Sequence, residues 1–146
     1  MPDPSKIEVN QVNSPAQLED VFAIRHEVFV LEQGCPPELE IEFNEHSIHF
    51  LATVDGQAAG ACRYRKTDKG YKLERFAVLK RCRGFGLGQQ MVRAILAALP
   101  ADAEYVYLHA QLDAVSLYAR FGFEKDGPEF EEAGIRHYKM VRPPAP

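Results

Sequence analysis

The sequence predicts an α+β (or α/β) domain, and three observations predict it. A capped helix start stands at Ser14-Pro15-Ala16-Gln17. Two apolar runs, 48–54 and 57–64, meet at Asp55-Gly56 as the arms of a hairpin do. A strand, a glycine-rich loop, a helix and a second strand then follow one another between Leu73 and His109. With 146 residues, 46% of them apolar, the chain is long enough for one hydrophobic core. Its 26% charged residues and net charge of -4 exclude a disordered polyelectrolyte and a nucleic-acid binder that uses its whole surface.

Ser14 is an N-cap, Pro15 suits the first helical position and Gln17 completes a capping box. Leu18, Val21, Phe22, Val28 and Phe29 follow at helical spacing. Arg25 falls inside that stripe, where a charge needs either a partner or a route to solvent. Gly34 and Pro36-Pro37 end the helix. Glu38, Glu40, Glu42 and Glu45 come next with no Lys or Arg among them. Glu40 and Glu42 alternate with Ile41 and Phe43, which predicts an extended stretch with its carboxylates on one face. Such a stretch is either a solvated acidic loop or an electrostatic funnel for a cationic substrate.

The hairpin follows, then a second turn at Lys69-Gly70 and a third strand, 73–79. Beyond the glycines, Leu87, Met91, Ala94, Ile95, Ala98 and Leu99 form one helical face, stopped by Pro100. Residues 105–109 read as a strand. Asp113 is expected to cap a short helix through Leu117, Tyr118 and Phe121, which Gly122 ends. Residues 123–127 and 134–140 are closing strands. With no repeat or internal linker, residues 1–142 are expected to form one domain and Pro143-Pro144-Ala145-Pro146 a disordered tail. The cysteines, Cys35, Cys62 and Cys82, are odd in number and widely spaced, which suggests neither a disulfide framework nor a metal site. No apolar run reaches the ~18 residues of a membrane span, and the N-terminus lacks a signal-peptide layout. A cytoplasmic protein with no membrane partner is the expectation.

The glycine-rich loop carries the chemistry. Gly84, Gly86 and Gly88 strip side chains from a backbone leading into a helix N-terminus, so amides and helix dipole face one point, as an anion such as a pyrophosphate requires. Arg81 and Arg83 stand just before it, positioned to add charge-assisted hydrogen bonds. A dinucleotide fingerprint fails at Gln89 when counted from Gly84 and at Met91 when counted from Gly86. A P-loop fails because Gln89-Gln90-Met91 offers no Gly-Lys-Ser/Thr.

The pattern Arg-x-x-Gly-x-Gly is met at Arg83-Gly84-Phe85-Gly86-Leu87-Gly88. There the chain resembles the GNAT superfamily of acetyl-CoA-dependent N-acyltransferases. The resemblance spans nearly the whole chain, taking in Leu73-Glu74-Arg75-Phe76-Ala77-Val78 and Leu117-Tyr118-Ala119-Arg120-Phe121-Gly122-Phe123. The stretch from Arg25 to Gln33, Glu40-Ile41-Glu42 and Ala133-Gly134-Ile135-Arg136-His137 resemble more narrowly its small bacterial YjcF/ElaA-like branch. The resemblance implies a mixed, mostly antiparallel sheet, splayed at two parallel strands and flanked by about four helices. Acetyl-CoA would enter the splay, its pantetheine pairing with the backbone of Phe76, Ala77 and Val78. Its pyrophosphate would rest on the amides from Arg83 to Gln89, and Gln111 would complete the cofactor contacts.

The implied reaction is direct attack of an amine on the thioester. Tyr118 is the expected general acid for the departing thiolate. Glu74 is the candidate base, or else an ion-pair partner of Arg75 or another neighbouring cation. His109 is a second candidate, as base or proton relay, or a structural histidine. Here the chain reads His109-Ala110-Gln111 where the branch usually has Asn-Ala-Gln. Arg25, Glu32, Glu40, Glu42 and His137 are the candidates for lining the acceptor site, and His137 alternatively serves as a hydrogen-bonded structural residue. No metal is expected. The acceptor is expected to be a small-molecule amine, slightly favoured as cationic by the acidic run.

Two other readings are a non-catalytic acyl-CoA sensor on the same fold and, from the resemblance of the segment between Arg25 and Glu42, an acyl-homoserine-lactone-synthase-like enzyme. The 63–83 segment has nine basic residues against Asp68 and Glu74, a net of +7, which the phosphates of CoA explain without nucleic acid. An exposed sheet edge leaves room for a homodimer.

Overall fold

A computed structural model describes residues 6–143, so of the expected tail only Pro143 is described, while Pro144, Ala145 and Pro146 lie outside. Strand β1 (Ile7–Gln11) was not anticipated, although Ile7 and Val9 alternate with polar neighbours as an edge strand requires. Helix α1 (Pro15–Arg25) starts as expected: Ser14 Oγ accepts from the Gln17 amide at 3.2 Å, and Gln17 Oε1 accepts from the Asn13 amide at 2.8 Å. It then widens into π-helical turns over His26–Glu32, with the Gln33 amide bonded to the Val28 carbonyl.

Pro36-Pro37 does not lead into an extended run. Pro37 opens the four-residue helix α2 (Pro37–Glu40), followed by a turn and by Phe43 at φ 63. The expected single acidic face is therefore absent. Glu40 points inward at 5% exposure, while Ile41 and Phe43 lie open to solvent.

Strands β2 (Ser47–Val54) and β3 (Gln57–Lys66) form the expected hairpin, with Asp55 at φ 50 and Gly56 at φ 84 as an Asp-Gly turn of the primed type. β4 (Tyr71–Val78) continues the antiparallel sheet. Helix α3 (Leu87–Ala98) buries Leu87, Met91, Val92 and Ile95, each worth about 1.5–3 kcal/mol on burial. Strand β5 (Val106–Gln111) returns parallel to β4. Helix α4 (Val115–Ala119) is preceded by a 3-10 turn, and its N-cap is Ala114, so Asp113 does not cap it. Gly122 does close it, at φ 90. Strands β6 (Glu124–Lys125), β7 (Phe130–Glu132) and β8 (Ile135–Arg142) complete a sheet ordered β1-β2-β3-β4-β5-β8-β6, with β7 also paired to β8.

Two cores flank this sheet. Leu73, Met91, Ile95, Leu108 and Met140 pack beneath α3 on one face, with Phe76 and Val78 against them. Val21, Ile24, Val28, Leu51, Ala61 and Ala77 pack beneath α1 on the other. Within β4 the pairing to β3 slips around Cys62, and Arg75 takes a left-handed φ of 58. This is a β-bulge, and it sits where the sheet divides.

Candidate active site

The parallel pairing of β4 with β5 lasts three residues, from Tyr71↔Val106 to Leu73↔Leu108. Beyond Leu73, β4 keeps its bonds to β3 (Ala61↔Ala77, Gly60↔Val78), so the edge at Phe76, Ala77 and Val78 faces an open fork. A cavity of about 340 Å³ fills that fork. A hollow of about 230 Å³ lies at its outer end, lined by Val78, Leu117 and the glycine loop.

The loop has the geometry an anion needs. Gly84 and Gly86 take φ 90 and φ 80, a region that penalises any Cβ. Gly86 is the N-cap of α3 and offers no side-chain bond, so the first-turn amides of Leu87, Gly88 and Gln89 have no side-chain partner. Phe85 is half-buried between these glycines. A Cβ on Gly88 would stand 3.3 Å from Leu117 Cδ2, so its absence lets α3 approach α4. The expected arginines differ from one another. Arg81 is exposed and only 3.9 Å from Glu27. Arg83 is tied down, with both terminal nitrogens 2.8 Å from the Glu32 carboxylate and its Nε donating to the Val78 carbonyl at 3.0 Å. Glu32 therefore braces the loop and is not among the residues lining the main cavity, contrary to its expected acceptor role.

Tyr118 lines the cavity from α4 at 6% exposure, edge-on to the Phe76 ring at 5.5 Å and to Phe123 at 6.1 Å. Burial pushes its phenol well above the ordinary value. At the end of β5, Gln111 and Gln33 exchange amide bonds of 3.0 and 3.5 Å across the cavity.

His109 also faces the cavity, its Nδ1 lying 3.4 Å from Glu132 Oε2 but off the line of a hydrogen bond. His137 Nδ1 lies 2.7 Å from the Ile135 carbonyl, which fixes its proton there and turns Nε2 toward Glu132 at 3.9 Å. Phe130 stacks on His137 and meets His109 edge-on. The Glu132 carboxyl is held below its ordinary value, chiefly by its contact with His109. Glu132 escaped the sequence reading. The signal was the Ala133-Gly134 turn, at φ 52 and φ 78, which pairs Glu132 with Ile135 and Phe130 with His137.

Glu74 lines the cavity as an ion-pair carboxylate. Oε2 accepts from Arg63 Nε at 2.8 Å and from Arg63 Nη2, and Oε1 accepts from Arg65 Nε at 2.9 Å. Lys72 Nζ lies 3.3 Å from Oε1. Burial alone would raise this carboxyl, but Arg63, Lys72 and Arg65 outweigh it and hold the group at about 2. A group so weakly basic is a poor proton acceptor at neutral pH, which corrects its candidacy as the base.

Arg25 and Glu40 form a second ion pair. Arg25 is fully buried and absent from the residues lining the cavity. Its Nε and Nη2 donate to Glu40 Oε2 and the Glu40 carbonyl, each at 2.7 Å. It is thus neither a snorkelling side chain nor an acceptor contact. Glu40 reaches the cavity with its carboxylate already bound to Arg25, and with Arg75 Nε 3.5 Å away. Of the exposed glutamates in the acidic run, Glu38, Glu42 and Glu45, Glu42 is the one that lines the cavity. Among the described residues no cluster of His, Cys, Asp or Glu is arranged to hold a metal, and no helix is long and apolar enough to cross a membrane.

The family model for the acetyltransferase (GNAT) domain matches residues 6–142. The uncharacterized N-acetyltransferase YjcF of Bacillus subtilis (strain 168) is 40% identical over 129 residues, which are 86% of this chain and 92% of YjcF. The crystal structure of Escherichia coli ElaA matches with a TM-score of 0.81 at 28% identity, covering 94% of this chain and 99% of ElaA. An acyl-CoA N-acyltransferase from Pseudomonas aeruginosa matches at 0.79 and 30% identity, covering 94% and 98%.

Proposed function

The chain belongs to the GNAT acetyltransferases, in the branch of YjcF and ElaA, and from that membership we propose that it moves the acetyl group of acetyl-CoA onto a primary amine by direct attack. The observation that carries this reading is the continuity of the fork. The β4 edge at Phe76–Val78, released from β5, runs from the glycine hollow to the cavity wall that holds Tyr118. Pyrophosphate on the amides from Arg83 to Gln89 and pantetheine along that edge bring a thioester beside Tyr118. The Pseudomonas aeruginosa relative, an acyl-CoA N-acyltransferase by description, supports the same donor.

An amine with a pKa near ~10.4 is neutral about once in 2,500 molecules at pH 7, a cost of about 4.6 kcal/mol unless a base takes its proton. His109 is the group we assign to that task. It faces the cavity, and Glu132 beside it stabilises the imidazolium that forms. The neutral amine then attacks the thioester carbonyl, and the tetrahedral intermediate expels the CoA thiolate. Tyr118 gives the thiolate its proton, the second proton shed by the acylated nitrogen restores the phenol, and the first leaves from His109 to solvent. Burial that makes the phenol reluctant to ionise raises the basicity of the sulfur in the same pocket, so donation follows charge as it builds on sulfur.

Calorimetric titration of acetyl-CoA and of free CoA into the protein, beside Gly86→Glu, tests the reading. Micromolar binding lost in the variant is expected, because a left-handed residue gains a Cβ and a carboxylate enters the anion seat. No binding to the unmodified protein at millimolar ligand overturns it.

A further inference from the structure

The acidic run suggested a cationic acceptor, but the charges of the folded cleft are arranged otherwise. Around and behind its β4 side lies an excess of positive charge. Five cations, Arg25, Arg63, Arg65, Lys72 and Arg75, are grouped around two carboxylates, Glu40 and Glu74. Both oxygens of Glu74 already accept from arginines, and Lys72 is a third cation on one of them. Glu40 is taken by Arg25 at 2.7 Å, while Arg75 spends its hydrogen bonds on two carbonyls, Glu40 at 3.2 Å and Leu39 at 3.1 Å. Donors exceed acceptors even in the interior, where Arg25 Nη1 is buried with no partner. Of this surplus, Lys72 and Arg75 line the cavity.

The opposite wall carries the other sign. His109, His137 and Glu132 come from β5, β8 and β7. The cavity therefore presents Lys72 and Arg75, beside the already paired Glu40 and Glu74, on its β4 side, and imidazoles with the Glu132 carboxylate on the other.

Resting on the acyltransfer reading above, we propose that the acceptor is a free amino acid, whose carboxylate is held by Lys72 and Arg75 while its amine faces His109 and Glu132. A zwitterion satisfies both walls at once. A polyamine of similar length places an ammonium against Lys72 and Arg75, where like charges repel in a partly dry cleft.

Matched acceptor pairs that differ only in the carboxylate test this: lysine with cadaverine, histidine with histamine, phenylalanine with phenethylamine. Each is assayed for thiol release and, as its N-acetyl product, for binding in the presence of CoA. At least one amino acid is expected to show a kcat/KM about tenfold or more above its decarboxylated partner. Lys72→Met is expected to raise that amino acid's KM, with acetyl-CoA affinity retained as the control for folding. Equal or better use of the decarboxylated members, or neither binding nor reaction of any amino acid by a protein that binds acetyl-CoA, overturns the acceptor assignment and leaves the donor reading standing. Preference for phosphoethanolamine over every amino acid overturns the carboxylate. Failure to bind acetyl-CoA at all is instead the failure of the donor reading.

Discussion

Replacing Glu74 with glutamine removes one charge from among three cationic side chains and alters almost nothing in shape. Arg63 is fully buried and Glu74 only 7% exposed, so the substitution leaves an arginine without its counter-charge. Breaking one side of such a pair costs about 3–5 kcal/mol. The depressed carboxyl expresses the same interactions in another form. Held at about 2 against an ordinary value of 4.5, it stabilises the fold at neutral pH by on the order of 3 kcal/mol. Urea denaturation at pH 7 should show the loss as a lower midpoint at unchanged slope, and thermal melting as a fall of roughly 10 °C. The pH dependence has a definite sign. A depressed carboxyl contributes in full above its unfolded value and loses its contribution as pH falls toward its folded one. The gap between wild type and variant therefore narrows as pH falls from roughly 5 to about 2. A variant within about 0.5 kcal/mol of wild type, but without turnover, would refute the ion-pair account and restore Glu74 as the base.

Tyr118→Phe keeps the ring contacts with Phe76 and Phe123 and removes the proton donor. Turnover is expected to fall about 100-fold with acetyl-CoA affinity unchanged, and unchanged turnover removes Tyr118 from the mechanism. Gly70→Ala tests the fold away from the cleft. A Cβ there would lie 2.3 Å from the Tyr105 carbonyl oxygen, so a loss of about 2 kcal/mol or more is expected by chemical denaturation.

Local signals were legible in the sequence where the physics is local. The Ser14 cap, the Asp55-Gly56 turn and the Gly84–Gly88 approach to α3 each depend on residues within a few positions of one another. What escaped depends on distance or on concealed geometry. Arg25 and Glu40 are fifteen positions apart, and nothing in the acidic run singles out the one glutamate that turns inward. Glu32 and Arg83 are fifty-one positions apart, and each had been read as facing a ligand. The π-helical turns over His26–Glu32 have no compositional marker. Glu132 enters the cleft only because the three-residue β7 folds back on β8, and strands that short leave little periodicity to read. The bulge at Arg75 is concealed for a similar reason, since a left-handed arginine is not announced by glycine or asparagine.

That one residue sets the rhythm of the strand it interrupts. Leu73 and Phe76 pack toward α3, as does Val78, although the first interval is odd and a regular pleat sends odd neighbours to opposite faces. Ala77, an even four positions after Leu73, accordingly packs toward α1. β4 is thus written in two frames, and the change of frame coincides with the end of its pairing to β5. A left-handed arginine costs about 1–2 kcal/mol of backbone strain. Deleting one position between Leu73 and Phe76 would remove that strain and make the strand regular. It would also give the ladder a straight path onward and zip shut the space between β4 and β5. In this chain the opening is, in effect, one surplus residue wide, and its length register is under a constraint that no single side chain displays.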